Sequence, residues 1–151
     1  MNMDQAQFII RAPHSKDVPF ILNSWLRSYR TADAVKLLDN ETYYRNHHPL
    51  FTRLLETCEV RIACADDDRD QILGYAVSTN LGNAKVLVYC YTKFLFRGMG
   101  IARKLLISAG INAEEPFFYT FLSKTGDRQR KKFPRALYNN FLVADLIKGA
   151  A

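Results

Sequence analysis

Residues 89–112 read YCYTKFLFRGMGIARKLLISAGIN, and the pattern of this stretch decides the fold. An aromatic and β-branched run over 85–92 gives way to a short loop that holds Gly98 and Gly100. The loop opens into apolar residues at Ile101, Leu105, Leu106 and Ala109, the spacing of one helix face. Strand, turn and helix therefore follow one another directly. A helix entered through Arg97-Gly98-Met99-Gly100 begins with unpaired backbone N–H groups and the positive end of its dipole. Both favour a bound phosphate.

Downstream of the helix, predicted over 100–112, the apolar run after Pro116 predicts a buried strand over 117–122. The unit is then strand–helix–strand, with parallel pairing and a right-handed crossover. Upstream, a meander of three strands leads into it: 59–65, with Val60, Ile62 and Cys64 on one face, then 72–79, then 85–92. The acidic run at 66–70 reads as a solvated hairpin tip; it lacks the glycine and distal glutamate of a calcium loop. Residues 80–83 form the second turn.

Earlier still, 8–11 predicts a strand ended by Pro13, and His14 or Ser15 starts a helix with Asp17 in its first turn. Val18, Ile21, Leu22, Trp25, Leu26 and Tyr29 form its buried face, with Trp25 and Tyr29 read as core. Residues 31–38 fit either a short helix or a loop. Asn40-Glu41 reads as the cap of a second helix whose face is Tyr43, Tyr44, His47, Leu50, Phe51, Leu54 and Leu55, interrupted or kinked at Pro49. After 122 two orderings stand. In one, a basic helix over 124–133 ends at Pro134 and 136–146 forms a last strand or strand pair; in the other, a helix starts at Pro134 and carries Leu137 and Tyr138. The first is preferred because Pro134 would break a helix spanning both halves.

The chain has 151 residues, 48% hydrophobic and 24% charged, which fits one globular domain over 1–151 and excludes wholesale disorder. No apolar run approaches the roughly 20 residues of a membrane span, and Met1 to Gln7 lack a secretory pattern, so the expected location is cytoplasmic. Cys58, Cys64 and Cys90 are odd in number and read as reduced, buried thiols. His47 and His48 point about 100° apart on a helix, and no metal ligand set is expected. The net charge of +6 is uneven: 1–92 hold ten Lys/Arg against eleven Asp/Glu, and 93–151 hold eleven against four. A basic second half suits an anionic ligand or a nucleic-acid surface; the run 128–132 is read first as a solvated face.

The segment Arg97-Gly98-Met99-Gly100-Ile101-Ala102, set after a strand and opening a helix, resembles the central motif of the GNAT N-acetyltransferase superfamily, and the element order from 8 to about 122 is similar. The resemblance implies an α/β (α+β mixed) fold: a mixed, mostly antiparallel sheet with a βαβ coenzyme-binding unit and helices on both faces. It implies acetyl-CoA as cosubstrate and acetyl transfer to an amine on a small molecule or protein. Nucleic acid is the less favoured partner, a non-catalytic interaction module is a further alternative, no membrane partner is expected, and the oligomeric state stays open with a dimer allowed. The implied coenzyme contacts are Cys90, Tyr91 and Thr92 along the pantetheine arm, with a backbone N–H near Thr92 on the acetyl carbonyl. Arg97, Gly98, Met99, Gly100, Ile101, Ala102 and Arg103 would lie at the pyrophosphate. Tyr138 is the matching candidate for the catalytic acid. Two departures stand out: Phe94 replaces a proline common in relatives, and no carboxylate occurs between Asp70 and Glu114.

Overall fold

The computed structural model of the chain describes residues 7–148. Six strands form one sheet in chain order: β1 Phe8–Arg11, β2 Glu59–Ala65, β3 Ile72–Leu81, β4 Ala84–Thr92, β5 Phe117–Tyr119 and β6 Ala136–Tyr138. The first four pair antiparallel, whereas β5 runs parallel to both β4 and β6. The helices are α1 Val18–Tyr29, α2 Asn40–Thr57, α3 Ile101–Ser108, α4 Lys124–Gln129 and α5 Leu142–Lys148. This is the mixed sheet with a βαβ unit that the sequence predicts.

Period-two alternation sorts the strand side chains to opposite faces. Val60, Ile62 and Cys64 join Tyr75, Val77 and Val88 in a large core closed by Ile21, Trp25, Phe51, Leu54 and Leu146 of α1, α2 and α5. On the other face Ala63, Leu73 and Ala76 meet Ile101 and Leu105 of α3. Small residues there let α3 lie close to the sheet: a Cβ at Gly74 would stand 3.4 Å from Ile101 Cγ2 of α3, and 2.5 Å from the Tyr91 carbonyl oxygen of the neighbouring strand. Trp25 is fully buried and stacks between Phe51 and Tyr89, with ring centroids 4.1 and 5.1 Å away. Its reading as core holds.

The structure corrects several boundaries. A single 3₁₀ turn, Ser15–Asp17, precedes α1. The cap of α2 is Asp39, not Asn40 or Glu41: its carboxylate accepts the Thr42 N–H at 2.7 Å, as a short acidic side chain does best. That helix runs uninterrupted through Pro49. Residues 31–38 form turns, not a helix. The helix predicted over 100–112 stops at Ser108 because Gly110, at φ 75°, reverses the chain. The Ile111 N–H then bonds the Leu106 carbonyl and the Gly110 N–H that of Ile107, each at 2.9 Å, and Ile111 packs on Leu106. This is the glycine-terminated helix end described for left-handed C′ residues.

In the tail, α4 and a 3₁₀ turn over Arg130–Lys132 precede Pro134, as the preferred ordering has it. The last strand, however, is only Ala136–Tyr138, and α5 replaces the expected strand from Leu142 onward. Leu146 is buried and Leu142, Val143 and Ile147 pack beside it on the main core. As a short helix, these apolar residues cover part of that core face of the sheet.

Candidate functional site

The parallel pairing of β4 and β5 is confined to Val86 with Phe118 and Leu87 with Tyr119. The strand expected over 117–122 therefore ends early. The reason lies in β4, where Val77 pairs with Tyr89 and Ser78 with Leu87, so Val88 is an extra residue. A bulge bends its strand and re-aims the residues beyond it. Beside the bulge, the Thr120 hydroxyl donates to the Val88 carbonyl at 3.0 Å in a buried contact, and past this point the strands separate.

Thr120→Val is expected to cost about 1–3 kcal/mol, because the buried Val88 carbonyl loses its donor. Urea unfolding of the two proteins at pH 7 measures this as a lower midpoint for the variant.

A cavity of about 370 Å³ fills the gap between the strands and continues to the start of α3. One wall carries Tyr89, Cys90, Tyr91, Thr92, Arg97, Gly98, Gly100, Ile101, Ala102 and Arg103; the opposite wall includes Tyr119, Phe121, Ser123, Arg130, Lys132 and Phe133. Nine of the ten coenzyme-contact positions expected from the sequence thus line one space. Met99 does not; it packs against the core beneath α3.

The start of α3 is open and glycine-flanked. Gly100 is its N-cap at φ 80°, and it supplies no side-chain cap. Gly98 has φ 85°, and a Cβ built at either glycine meets no protein atom within 4 Å. Positive φ favours glycine at both positions. The open space in front of them is where a ligand would approach the first-turn N–H groups. Arg97 is exposed and anchored by its Nε donating to the Thr92 carbonyl at 3.2 Å. Arg103, also exposed, lines the cavity on the α3 side. Lys104 turns away, with its Nζ 5.4 Å from the Phe8 ring centroid.

Arg130 and Lys132 add two positive charges from the far wall, Arg130 also pairing with Asp127 at 2.7 Å. Among the described residues, no aspartate, glutamate or histidine lines this cavity. The four cations impose a field suited to phosphates. The groups nearest the strand gap are neutral: burial pushes the Cys90 thiol up to about 12 and holds the Tyr89 phenol well above the ordinary tyrosine range.

Tyr138 lies on β6, outside the residues lining the cavity, with its ring 5.4 Å from that of Tyr119. It is 44% exposed. Sequence reading overlooked Ser28, Thr120, Ser123, Arg130 and Lys132. No local motif marks the first three, and the two basic residues fall in a run that reads as a solvated face. Among the described residues, no group of three His, Cys, Asp or Glu is placed to hold a metal ion, and no helix is long and apolar enough to cross a membrane.

No protein-family model matches the sequence, and neither does any curated protein. Solved structures do match in shape. A Pyrococcus furiosus protein, provisionally described as an acetyl transferase, superposes with a TM-score of 0.58 at 16% identity, covering 88% of this chain and 82% of its own. A Corynebacterium glutamicum protein described as histone acetyltransferase HPA2 and related acetyltransferase gives a TM-score of 0.56 at 12% identity, over 83% of this chain and 82% of its own. The chain thus shares the overall fold of these two proteins.

Proposed function

We propose that the protein is an acetyl-CoA-dependent N-acetyltransferase. The observation that carries this reading is the joining of two features in one cavity of about 370 Å³: the gap where parallel β4 and β5 stop pairing, and a glycine-flanked helix start, with four cations along the lining. A coenzyme A thioester has that form, with a slender pantetheine arm joined to a polyanionic nucleotide. Backbone groups of residues 90–92 would pair with the arm, and the N–H groups from Gly98 to Arg103 would hold the pyrophosphate. A backbone N–H near Thr92 would polarise the acetyl carbonyl. Each charge-assisted bond contributes about 1.5–3 kcal/mol.

The acceptor is an amine on a small molecule or protein. A nucleic-acid partner held by the basic second half draws less support, since Arg130 and Lys132 of the basic run line the cavity itself. Acetyl-CoA is expected to raise the stability of the protein by about 2.7 kcal/mol at 100 times its dissociation constant. Thermal-shift titration reads this out, and no shift at millimolar acetyl-CoA would end the proposal.

A further inference from the structure

Acetyl transfer from a thioester to a neutral amine forms one N–C bond, breaks one C–S bond and moves one proton from nitrogen to sulfur. The residues lining the cavity include no carboxylate or imidazole to take that proton. Tyr89, Ser28 and Ser123 are among the hydroxyl-bearing residues that line it, and the first two are in direct contact. Tyr89 stands one residue beyond the Val88 bulge, and its hydroxyl is in hydrogen-bond contact with the Ser28 hydroxyl of α1. Ser123, the N-cap of α4, lines the same cavity. Tyr89 is 3% exposed.

Each of the three residues is held in place. The Tyr89 ring stacks on Trp25. The Ser28 hydroxyl has the Trp25 carbonyl as a second partner at 3.3 Å, so it has both a donor and an acceptor route. The Ser123 oxygen caps α4 by accepting the Gly126 N–H at 3.0 Å. His47, the nearest imidazole on this side, packs on Tyr29 and Tyr43 with Nδ1 2.9 Å from the Tyr43 carbonyl, and it does not line the cavity.

Resting on the acetyl-transfer reading above, we infer that Tyr89, with Ser28, is the proton relay of the reaction. The hydroxyl chain accepts a proton from the attacking nitrogen as it gives one to the departing sulfur. Tyr89 begins and ends each turnover as a neutral phenol, so no free base is needed. Burial, which disfavours the phenolate, suits this role: a group that hands on one proton while receiving another never ionises. The relay places the proton step on β4 and α1 and assigns no proton transfer to Tyr138 on β6.

The test compares the wild-type protein with Tyr89→Phe, which keeps the ring stack and removes only the hydroxyl. Acetyl-CoA affinity is measured by calorimetry. Thiol release from acetyl-CoA is followed with hydroxylamine as a small neutral acceptor, with the uncatalysed rate subtracted, in water and in deuterium oxide. Tyr89→Phe is expected to bind acetyl-CoA within about twofold of wild type, to lose on the order of 100-fold in kcat, and to lose the solvent isotope effect; Ser28→Ala is expected to lower kcat less. An unchanged kcat in Tyr89→Phe overturns the relay alone, and so does loss of coenzyme binding by this variant, which would mark Tyr89 as structural. A wild-type protein that fails to bind acetyl-CoA, or binds it without releasing thiol, overturns the transferase reading and the relay together.

Discussion

Gly100→Val is expected to raise the dissociation constant for acetyl-CoA at least about 100-fold, roughly 2.8 kcal/mol, while the sheet stays folded. Two effects combine. Gly100 holds φ at 80° as the N-cap of α3, and a β-branched residue in the left-handed region costs about 1–2 kcal/mol, which would reshape the first turn. The new side chain would also project into the open space beside the cavity, since no protein atom lies within 4 Å of the added Cβ. That space is where pyrophosphate would meet the helix N–H groups.

Gly82→Ala separates strain from site. Gly82 has φ 58° in the turn between β3 and β4, again with nothing near its added Cβ, and its replacement is expected to leave acetyl-CoA affinity unchanged. Calorimetric titration of both variants decides the matter. Wild-type affinity in Gly100→Val would place the phosphates elsewhere.

Asp17→Asn is expected to destabilise the protein by about 3–5 kcal/mol at pH 7, the usual result of leaving one member of a buried ion pair without its partner. Arg11 donates to both Asp17 oxygens, at 2.7 and 3.1 Å, and the His14 N–H donates a third bond at 2.7 Å. The side chains are only 7% and 4% exposed. The pair ties the edge strand β1 to the turn that starts α1. The Arg11 hydrogen bonds, reinforced by the His14 N–H and opposed by burial, hold the Asp17 carboxyl below the usual carboxylate value.

A depressed carboxyl stabilises the fold at pH values above its unfolded-state pKa, near 3.9, and this contribution fades as pH falls through the folded-state value. Wild type and Asp17→Asn should therefore differ most at neutral pH and converge in strong acid. Urea midpoints taken at pH 7, 5 and 3 test both the size and the sign. A difference that grows toward pH 3 would contradict the assignment.

The legible parts of this chain are those governed by short-range periodicity. The alternation of Val60, Ile62 and Cys64 gave the core face of β2, and the spacing through Trp25 and Tyr29 gave the buried face of α1. Gly98 and Gly100 marked the loop into α3. Gly110 carried an equally local signal for the end of α3, yet the apolar period continuing to Ile111 masked it. The early end of β5 had no such signal: it follows from the bulge at Val88 in a different strand. Likewise α5 is apolar enough to read as a strand, and its docking on the α1–α2 core is a long-range contact that no local pattern marks.

By itself, the sequence determined the strand–turn–helix unit and the glycine-flanked helix start, because glycine conformation and helix polarity are properties of consecutive residues. Tertiary structure alone decided where β4 and β5 stop pairing, that Arg130 and Lys132 face the same cavity as Arg97 and Arg103, and that Ser28 meets the hydroxyl of Tyr89. Those groups come from α1, β4, the loop into α3, α3 itself and the segment after β5, some 61 residues apart in the case of Ser28 and Tyr89. Side chains that distant are brought together by packing against a shared core, and no local pattern along the chain encodes that meeting.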